Sequence, residues 1–138
     1  MAERITEGPA PDRARLEDFF FRYGEALAAG DLKAISGCYA VPAFVLSDAA
    51  SRPVATRAEI EADFAGAAER YRAQGLVAAR PTVVASESLT EKLLSVDVRW
   101  DYLDAEGRSA QQDGYRYVLR LEEGAGPQIC VVIVTSSM

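Results

Sequence analysis

Residues 19–40, FFFRYGEALAAGDLKAISGCYA, carry the strongest structural signal in the chain. Apolar residues recur in this stretch at spacings of three and four, which is typical of a helix with one buried face. Gly30 can adopt the left-handed conformation that ends a helix, and the carboxylate of Asp31 can cap the next one. The stretch therefore predicts a helix from about residue 12 to 29, a tight corner, and a short second helix that ends at Pro42.

The rest of the chain changes from a helical to a strand period. A short strand is predicted at residues 43–47 and a polar loop at 48–54, followed by a helix that starts with the capping box of Thr56 and Glu59 and ends near Gly75. Alternating apolar residues then predict four further strands, at residues 81–89, 94–102, 113–121 and 129–135. The order predicts an α+β fold, with three N-terminal helices on one face of a curved antiparallel sheet.

The length and composition of the chain limit the classes of protein to which it can belong. A chain of 138 residues with 26% charged residues is predicted to form one globular domain at 11–138, after a flexible arm at 1–10. The net charge of −6 argues against nucleic acid or an anionic membrane as a partner. We expect a cytoplasmic protein, because no long apolar run and no signal-peptide pattern are found.

The chain contains no histidine. This absence excludes Ser-His-Asp and Cys-His catalysis, and it removes the commonest ligand of zinc and non-haem iron. Any acid-base chemistry must use Asp, Glu, Tyr, Lys or Cys. No metal and no cofactor are predicted.

The last strand, residues 129–135, is apolar on both faces. It is expected to lie at the centre of the sheet or against another subunit. Together with Val118 it would leave an exposed apolar patch on a monomer, so we expect a homodimer that uses the outer face of the sheet.

The sequence YGEALAAGDLKAISGCYA, followed by a strand, a T-R-A-E helix and four meander strands, resembles the nuclear transport factor 2-like superfamily. Within it, the chain is most similar to the ketosteroid isomerase and SnoaL-like polyketide cyclase branch, over about residues 12–135. The resemblance implies a cone-shaped, cystatin-like fold in which the sheet and three helices enclose an apolar pocket. It also agrees with a homodimer.

The resemblance also assigns candidate catalytic residues. Ketosteroid isomerases use an Asp base with a Tyr and a protonated Asp that stabilise an enolate oxygen. The family's Tyr falls on Tyr23, its oxyanion-hole Asp on Asp113, and its base on Ser47. Serine needs a helper to act as a base, and the adjacent Asp48 should point to the opposite face unless the strand bulges.

Two functions remain open at this point. Tyr23 and Asp113 favour a small isomerase-, cyclase- or hydratase-like enzyme that polarises an apolar carbonyl compound, whereas Ser47 at the base position favours a non-catalytic domain that binds a small apolar ligand or dimerises. The simpler alternatives are a core tyrosine bonded to the backbone and an acid solvated near a strand end. The residues expected to line the pocket are Phe20, Phe64, Trp100, Tyr115 and Tyr117.

Overall fold

The structure is a computed structural model that describes residues 12–137, so the arm predicted at residues 1–10 lies outside the described part. Helices and strands follow one another along these residues. They are α1 (Arg13–Ala29), α2 (Leu32–Gly37), β1 (Tyr39–Leu46), β2 (Ser51–Val54), α3 (Arg57–Phe64), α4 (Ala67–Ala73), β3 (Ala78–Ser88), β4 (Leu93–Leu103), β5 (Ser109–Arg120) and β6 (Gln128–Ser137).

The corner between α1 and α2 forms as the sequence predicts. Gly30 has a φ of 71°, in the left-handed region, and its N–H donates to the last carbonyls of α1. The carboxylate of Asp31 accepts a hydrogen bond of 3.2 Å from the Ala34 N–H. One residue therefore ends α1 and the next begins α2, which fixes the direction of both helices.

The six strands form one sheet in the order β2-β1-β6-β5-β4-β3. The pair β1–β6 is parallel, and the other neighbouring strands are antiparallel. Because β6 lies between β1 and β5, its prediction as a central strand is confirmed, and so is the α+β fold. The core lies between the inner face of the sheet and the helices, and its most buried large residues include Leu16, Phe20, Ile35, Val96, Trp100, Leu119 and Ile129.

The prediction that Pro42 ends the second helix is wrong. Helix α2 ends at Gly37, and Pro42 lies inside β1, between Tyr39 and Phe44, where the pairing with β6 shifts register. The shift takes proline out of the regular hydrogen-bond ladder, which is how a strand tolerates a residue without an N–H. Strand β1 therefore begins at Tyr39 and not at residue 43.

Two other predictions need correction. The predicted third helix is divided into α3 and α4 at Gly66, whose φ is 81°. The predicted loop at 48–54 contains β2, a short edge strand that pairs Val54 with Ala43. The sequence did not predict this strand because it contains Pro53, although proline is tolerated in edge strands. None of the helices in residues 12–137 is long and apolar enough to cross a lipid bilayer.

Candidate functional site

A cavity of about 130 Å³ lies between the inner face of the sheet and the helices α1, α3 and α4. All six tyrosines of the chain and its only tryptophan line this cavity. The other lining residues are aliphatic or phenylalanine, so no charged side chain lies in the wall formed by the described residues. The aromatic residues are Tyr23, Tyr39, Tyr71, Tyr102, Tyr115, Tyr117 and Trp100.

Tyr23 reaches the cavity from the buried stripe of α1. Its ring lies edge-on to the rings of Tyr39 and Trp100, with both centroid distances at 6.0 Å. Its hydroxyl is 2.6 Å from the hydroxyl of Tyr39. The partner of this buried tyrosine is therefore another cavity residue and not the backbone.

Tyr39 is held at the start of β1 by side chains from two other elements. Its carbonyl oxygen accepts hydrogen bonds from Arg57 Nη2 at 3.1 Å and from Gln128 Nε2 at 3.3 Å. Arg57 Nε also donates to the carbonyl of Ser36, at 3.2 Å. Because the ladder with β6 is irregular just beyond Tyr39, these bonds fix the backbone that carries its ring.

Trp100 and Tyr117 lie on the inner face of the neighbouring strands β4 and β5, and their side chains meet there. The indole Nε1 donates a hydrogen bond of 2.9 Å to the Tyr117 hydroxyl. The Tyr117 ring stacks on Tyr115, with centroids 5.8 Å apart. The donor of Trp100 is thus satisfied inside the core, as a buried indole requires.

The hydroxyls of Tyr23, Tyr39, Tyr115 and Tyr117 stay protonated at neutral pH. Burial raises the pKa of Tyr23 and of Tyr117 well above the ordinary value of 10.0, and the neighbouring Tyr39 hydroxyl adds to both shifts. Burial also raises the pKa of Tyr39, and it raises that of Tyr115 to about 12. The cavity therefore presents neutral phenols, which can donate hydrogen bonds.

Among the buried tyrosines Tyr23, Tyr39 and Tyr117, two hydroxyl hydrogens have no protein acceptor. The bond between Tyr23 and Tyr39 uses one of the two hydrogens that the pair carries. Tyr117 accepts from Trp100, so its own hydrogen stays free. Within residues 12–137 no hydrogen bond accounts for either of these hydrogens. Because unpaired buried donors are rare, these groups mark a place where an acceptor can bind.

Asp113 lies beside the cavity but does not line it. In the register of β4 and β5 it is opposite Trp100, and it is half-buried. Its carboxylate accepts a hydrogen bond from the hydroxyl of Tyr102. Burial raises the pKa of Tyr102, and the charge of Asp113 and this hydrogen bond add to the rise. The structure thus brings Asp113 to Tyr102, which lines the cavity, and the partner of Tyr23 is Tyr39.

Ser47 and Asp48 lie outside the cavity. Strand β1 ends at Leu46, and both residues are exposed in the turn that leads to β2. The Ser47 hydroxyl accepts a hydrogen bond from the Ala49 N–H at 3.2 Å. The turn therefore carries the position assigned to the base away from the tyrosine hydroxyls.

Four of the five residues expected to line the pocket do so: Phe64, Trp100, Tyr115 and Tyr117. Phe20 is instead fully buried in the core and packs against Phe19 and Tyr117, with centroids 5.0 Å from each. The sequence pattern did not distinguish Tyr39, Tyr71 and Tyr102 as pocket residues, because each occupies an ordinary buried position of its helix or strand. The available signal was that every tyrosine lies on an apolar stripe.

The sequence matches a known family over all of the described residues. Residues 12–137 match the family described as "NTF2-like protein (DUF6841)". The chain belongs to this NTF2-like family. No curated protein matches the sequence.

Solved structures with the same fold have very different sequences. A domain of unknown function with a cystatin-like fold from Nostoc punctiforme is 16% identical, covers 92% of this chain and 78% of its own, and has a TM-score of 0.68. A ketosteroid isomerase-like protein from Erwinia carotovora is 11% identical over 89% of this chain and 94% of its own, with a TM-score of 0.62.

A third structure is described as a putative calcium/calmodulin-dependent protein kinase II association domain, from Xanthomonas campestris. It is 15% identical, covers 97% of this chain and 95% of its own, and has a TM-score of 0.59. At these identities the similarity to all three structures establishes the fold alone.

Proposed function

We propose that this NTF2-like protein binds a small neutral molecule in the tyrosine-lined cavity. The apolar body of the ligand would pack on the aromatic rings, and an oxygen atom would accept hydrogen bonds from the tyrosine hydroxyls. The observation that carries this proposal is the pair of buried hydroxyl hydrogens, on Tyr23–Tyr39 and on Tyr117, that have no acceptor in residues 12–137.

The absence of charged side chains among the described residues of the cavity wall supports a neutral ligand. A carboxylate or an ammonium group would lose its hydration on entry and would meet no opposite charge among the lining residues. A carbonyl or ether oxygen loses much less hydration, and two phenol donors compensate for that loss. Val77 lines the cavity and is half-exposed, so a ligand has a short path from solvent at this side.

Binding is better supported than turnover. Ser47 and Asp48 are exposed in a turn, and the carboxylate of Asp113 is engaged by Tyr102. In the described residues, no carboxylate lines the cavity beside the two free hydroxyl hydrogens. An isomerase or cyclase needs a proton acceptor next to the substrate carbon, and the cavity wall offers only neutral phenols for that role.

Thermal unfolding with and without candidate ligands tests the proposal. A ligand present at about 100 times its Kd stabilises the folded state by about 2.7 kcal/mol, which raises the Tm by several degrees. We expect cyclohexanone to raise the Tm, and the isosteric hydrocarbon methylenecyclohexane to raise it less at the same concentration. Equal Tm values with and without both compounds up to their solubility limits would contradict the proposal.

A pair of variants on one helix supplies the control. Ala67→Leu adds volume inside the cavity, whereas Ala73→Leu adds the same volume at an exposed position of α4 that does not line it. We expect the first variant to lose the ligand-induced rise in Tm and the second to keep it. Loss of the rise in both variants would show that the cavity is not where the ligand binds.

We also propose that a second copy of the chain covers the outer face of the sheet. An outer apolar patch is formed by Phe44, Leu46, Val118, Val131 and Ile133, which the strand register places on one face. Phe44 is 45% exposed and lies within this patch, and contiguous exposed apolar patches mark interaction sites. The structure from Xanthomonas campestris described as an association domain is consistent with assembly through this fold.

A further inference from the structure

Trp100 forms one wall of the cavity and is fixed on several sides. It is 1% exposed, and its indole Nε1 is bound to the Tyr117 hydroxyl. The ring lies directly against the backbone of α1, because a Cβ added at Gly24 would be 2.9 Å from Trp100 Cζ3 and 3.0 Å from the Ala79 carbonyl oxygen. The indole therefore cannot retreat from the cavity when a larger ligand enters.

The cavity that remains is small. Its volume is about 130 Å³. An engineered apolar cavity of about 150 Å³ in another protein holds one benzene molecule, and pockets for drug-sized ligands start at about 300 Å³. The space beside Trp100 thus fits one six-membered ring and excludes a second fused ring.

We infer that Trp100 is the residue that limits the ligand to a single ring. The inference rests on the proposed function and narrows it: the ligand class is a monocyclic, neutral compound with one acceptor oxygen. Because the indole itself lines the cavity, its removal joins the freed volume to the ligand space. Substitution of the small lining residues would free little volume. Substitution of the tyrosines would remove the hydroxyl groups that are proposed to bind the ligand.

Calorimetric titration with two ketones tests this inference. Cyclohexanone carries one ring, and 1-decalone carries the same carbonyl group with a second fused ring. For the wild-type protein we expect cyclohexanone to bind at least about tenfold more tightly than 1-decalone. A ligand that is too large for a closed apolar pocket loses affinity by about this factor. For Trp100→Leu we expect the Kd of 1-decalone to fall by about tenfold or more.

Two further variants keep the test interpretable. Trp100→Phe retains an aromatic core residue, so it serves if Trp100→Leu does not fold, and we expect a smaller gain for 1-decalone. Phe19→Leu shortens another buried aromatic residue that does not line the cavity, and its ligand preference should equal that of the wild type. Near-ultraviolet circular dichroism confirms that each variant is folded before it is titrated.

The possible results separate the two proposals. Equal affinities of the wild type for both ketones would overturn the role of Trp100 and leave ligand binding intact. A preference for cyclohexanone that persists in folded Trp100→Leu and Trp100→Phe would also overturn it. If the wild type binds neither ketone, the proposed function fails, and the inference about Trp100 fails with it.

Discussion

Phe20 and Phe21 are neighbours in α1 with opposite environments. Phe20 is completely buried and packs on Phe19 and Tyr117, whereas Phe21 is 53% exposed on the solvent side of the helix. The helical period alone separates them, because residues one apart in a helix point about 100° from each other. This pair of adjacent, chemically identical side chains isolates the effect of burial.

Truncation of these two residues should have very different effects on stability. We expect Phe20→Ala to lower the free energy of unfolding by about 3–5 kcal/mol, the range for a core aromatic residue. Phe21→Ala should change it by less than about 0.5 kcal/mol, as for other surface positions. Urea unfolding monitored by circular dichroism measures both values, and similar losses in the two variants would show that the buried face of α1 is misassigned.

Asp101 ties the strands β4 and β5 together on the outer face of the sheet. Its Oδ1 accepts hydrogen bonds of 2.7 Å from both Ser109 and Gln112, and Arg99 Nε lies 3.4 Å from Oδ2. Burial on its own would raise the pKa of Asp101, but these three partners outweigh it and lower the pKa below the ordinary value of 3.8. The carboxylate thus stabilises the hairpin in its ionised form.

The lowered pKa gives this hairpin a defined pH dependence. A depressed folded-state pKa stabilises the fold fully above the unfolded-state value, and this stabilisation is lost as the pH falls through the folded-state value. Asp101→Asn keeps an acceptor oxygen but no charge, so we expect it to cost about 1–2 kcal/mol at pH 7. The difference from wild type should shrink progressively as the pH falls below about 4.

The adjacent ion pair supplies the control for this measurement. Asp97 accepts hydrogen bonds from Arg116 at 2.7 and 3.1 Å, but the pair is partly exposed. Asp97→Asn should therefore cost less than about 1 kcal/mol, as surface pairs do. Chemical unfolding from pH 7 down to pH 3 measures both variants, and a pH-independent loss for Asp101→Asn would contradict the role of its charge.

At the scale of the whole molecule, the two proposals assign different partners to the two faces of the same sheet. The inner face holds the cavity, and the outer face holds the outer apolar patch next to the ion pair of Asp97 and Arg116. If a second copy covers the patch, the cavity stays accessible from the helical side. Ligand binding and association are then compatible in one dimer.

Light scattering tests this arrangement. We expect the wild type to have the mass of a dimer at micromolar concentration and Ile133→Lys to have that of a monomer, because a charge buried in an apolar interface is costly. Phe21→Lys is the control, since Phe21 is 53% exposed and lies on α1, on the other side of the sheet from the patch. A monomeric wild type would remove the proposed association.

More of the fold than of the cavity could be predicted from the sequence. The corner at Gly30 and Asp31, the capping box at Thr56 and the central position of β6 follow from local rules of conformation and period. The bulge around Pro42 depends on pairing with β6, which is distant in sequence, so local patterns could not show it.

The contents of the cavity depend even more on tertiary contacts. The bond between Tyr23 and Tyr39 joins residues of different elements, and that between Tyr102 and Asp113 joins neighbouring strands. The resemblance to ketosteroid isomerases placed Tyr23 and Asp113 near one pocket, but it could not show that each has a different hydroxyl as its partner. That pairing depends on side-chain geometry between elements that are distant in sequence.

The most direct test of the account follows the fluorescence of Trp100, the only tryptophan in the chain, during a titration with cyclohexanone. Because Trp100 lines the cavity, a bound ketone should change its emission along a saturable curve with one site per chain. Ala67→Leu should abolish the saturable change, whereas Ala73→Leu should keep it. A change that rises linearly with ketone concentration and is the same in all three proteins would contradict the claim that the cavity is a ligand site.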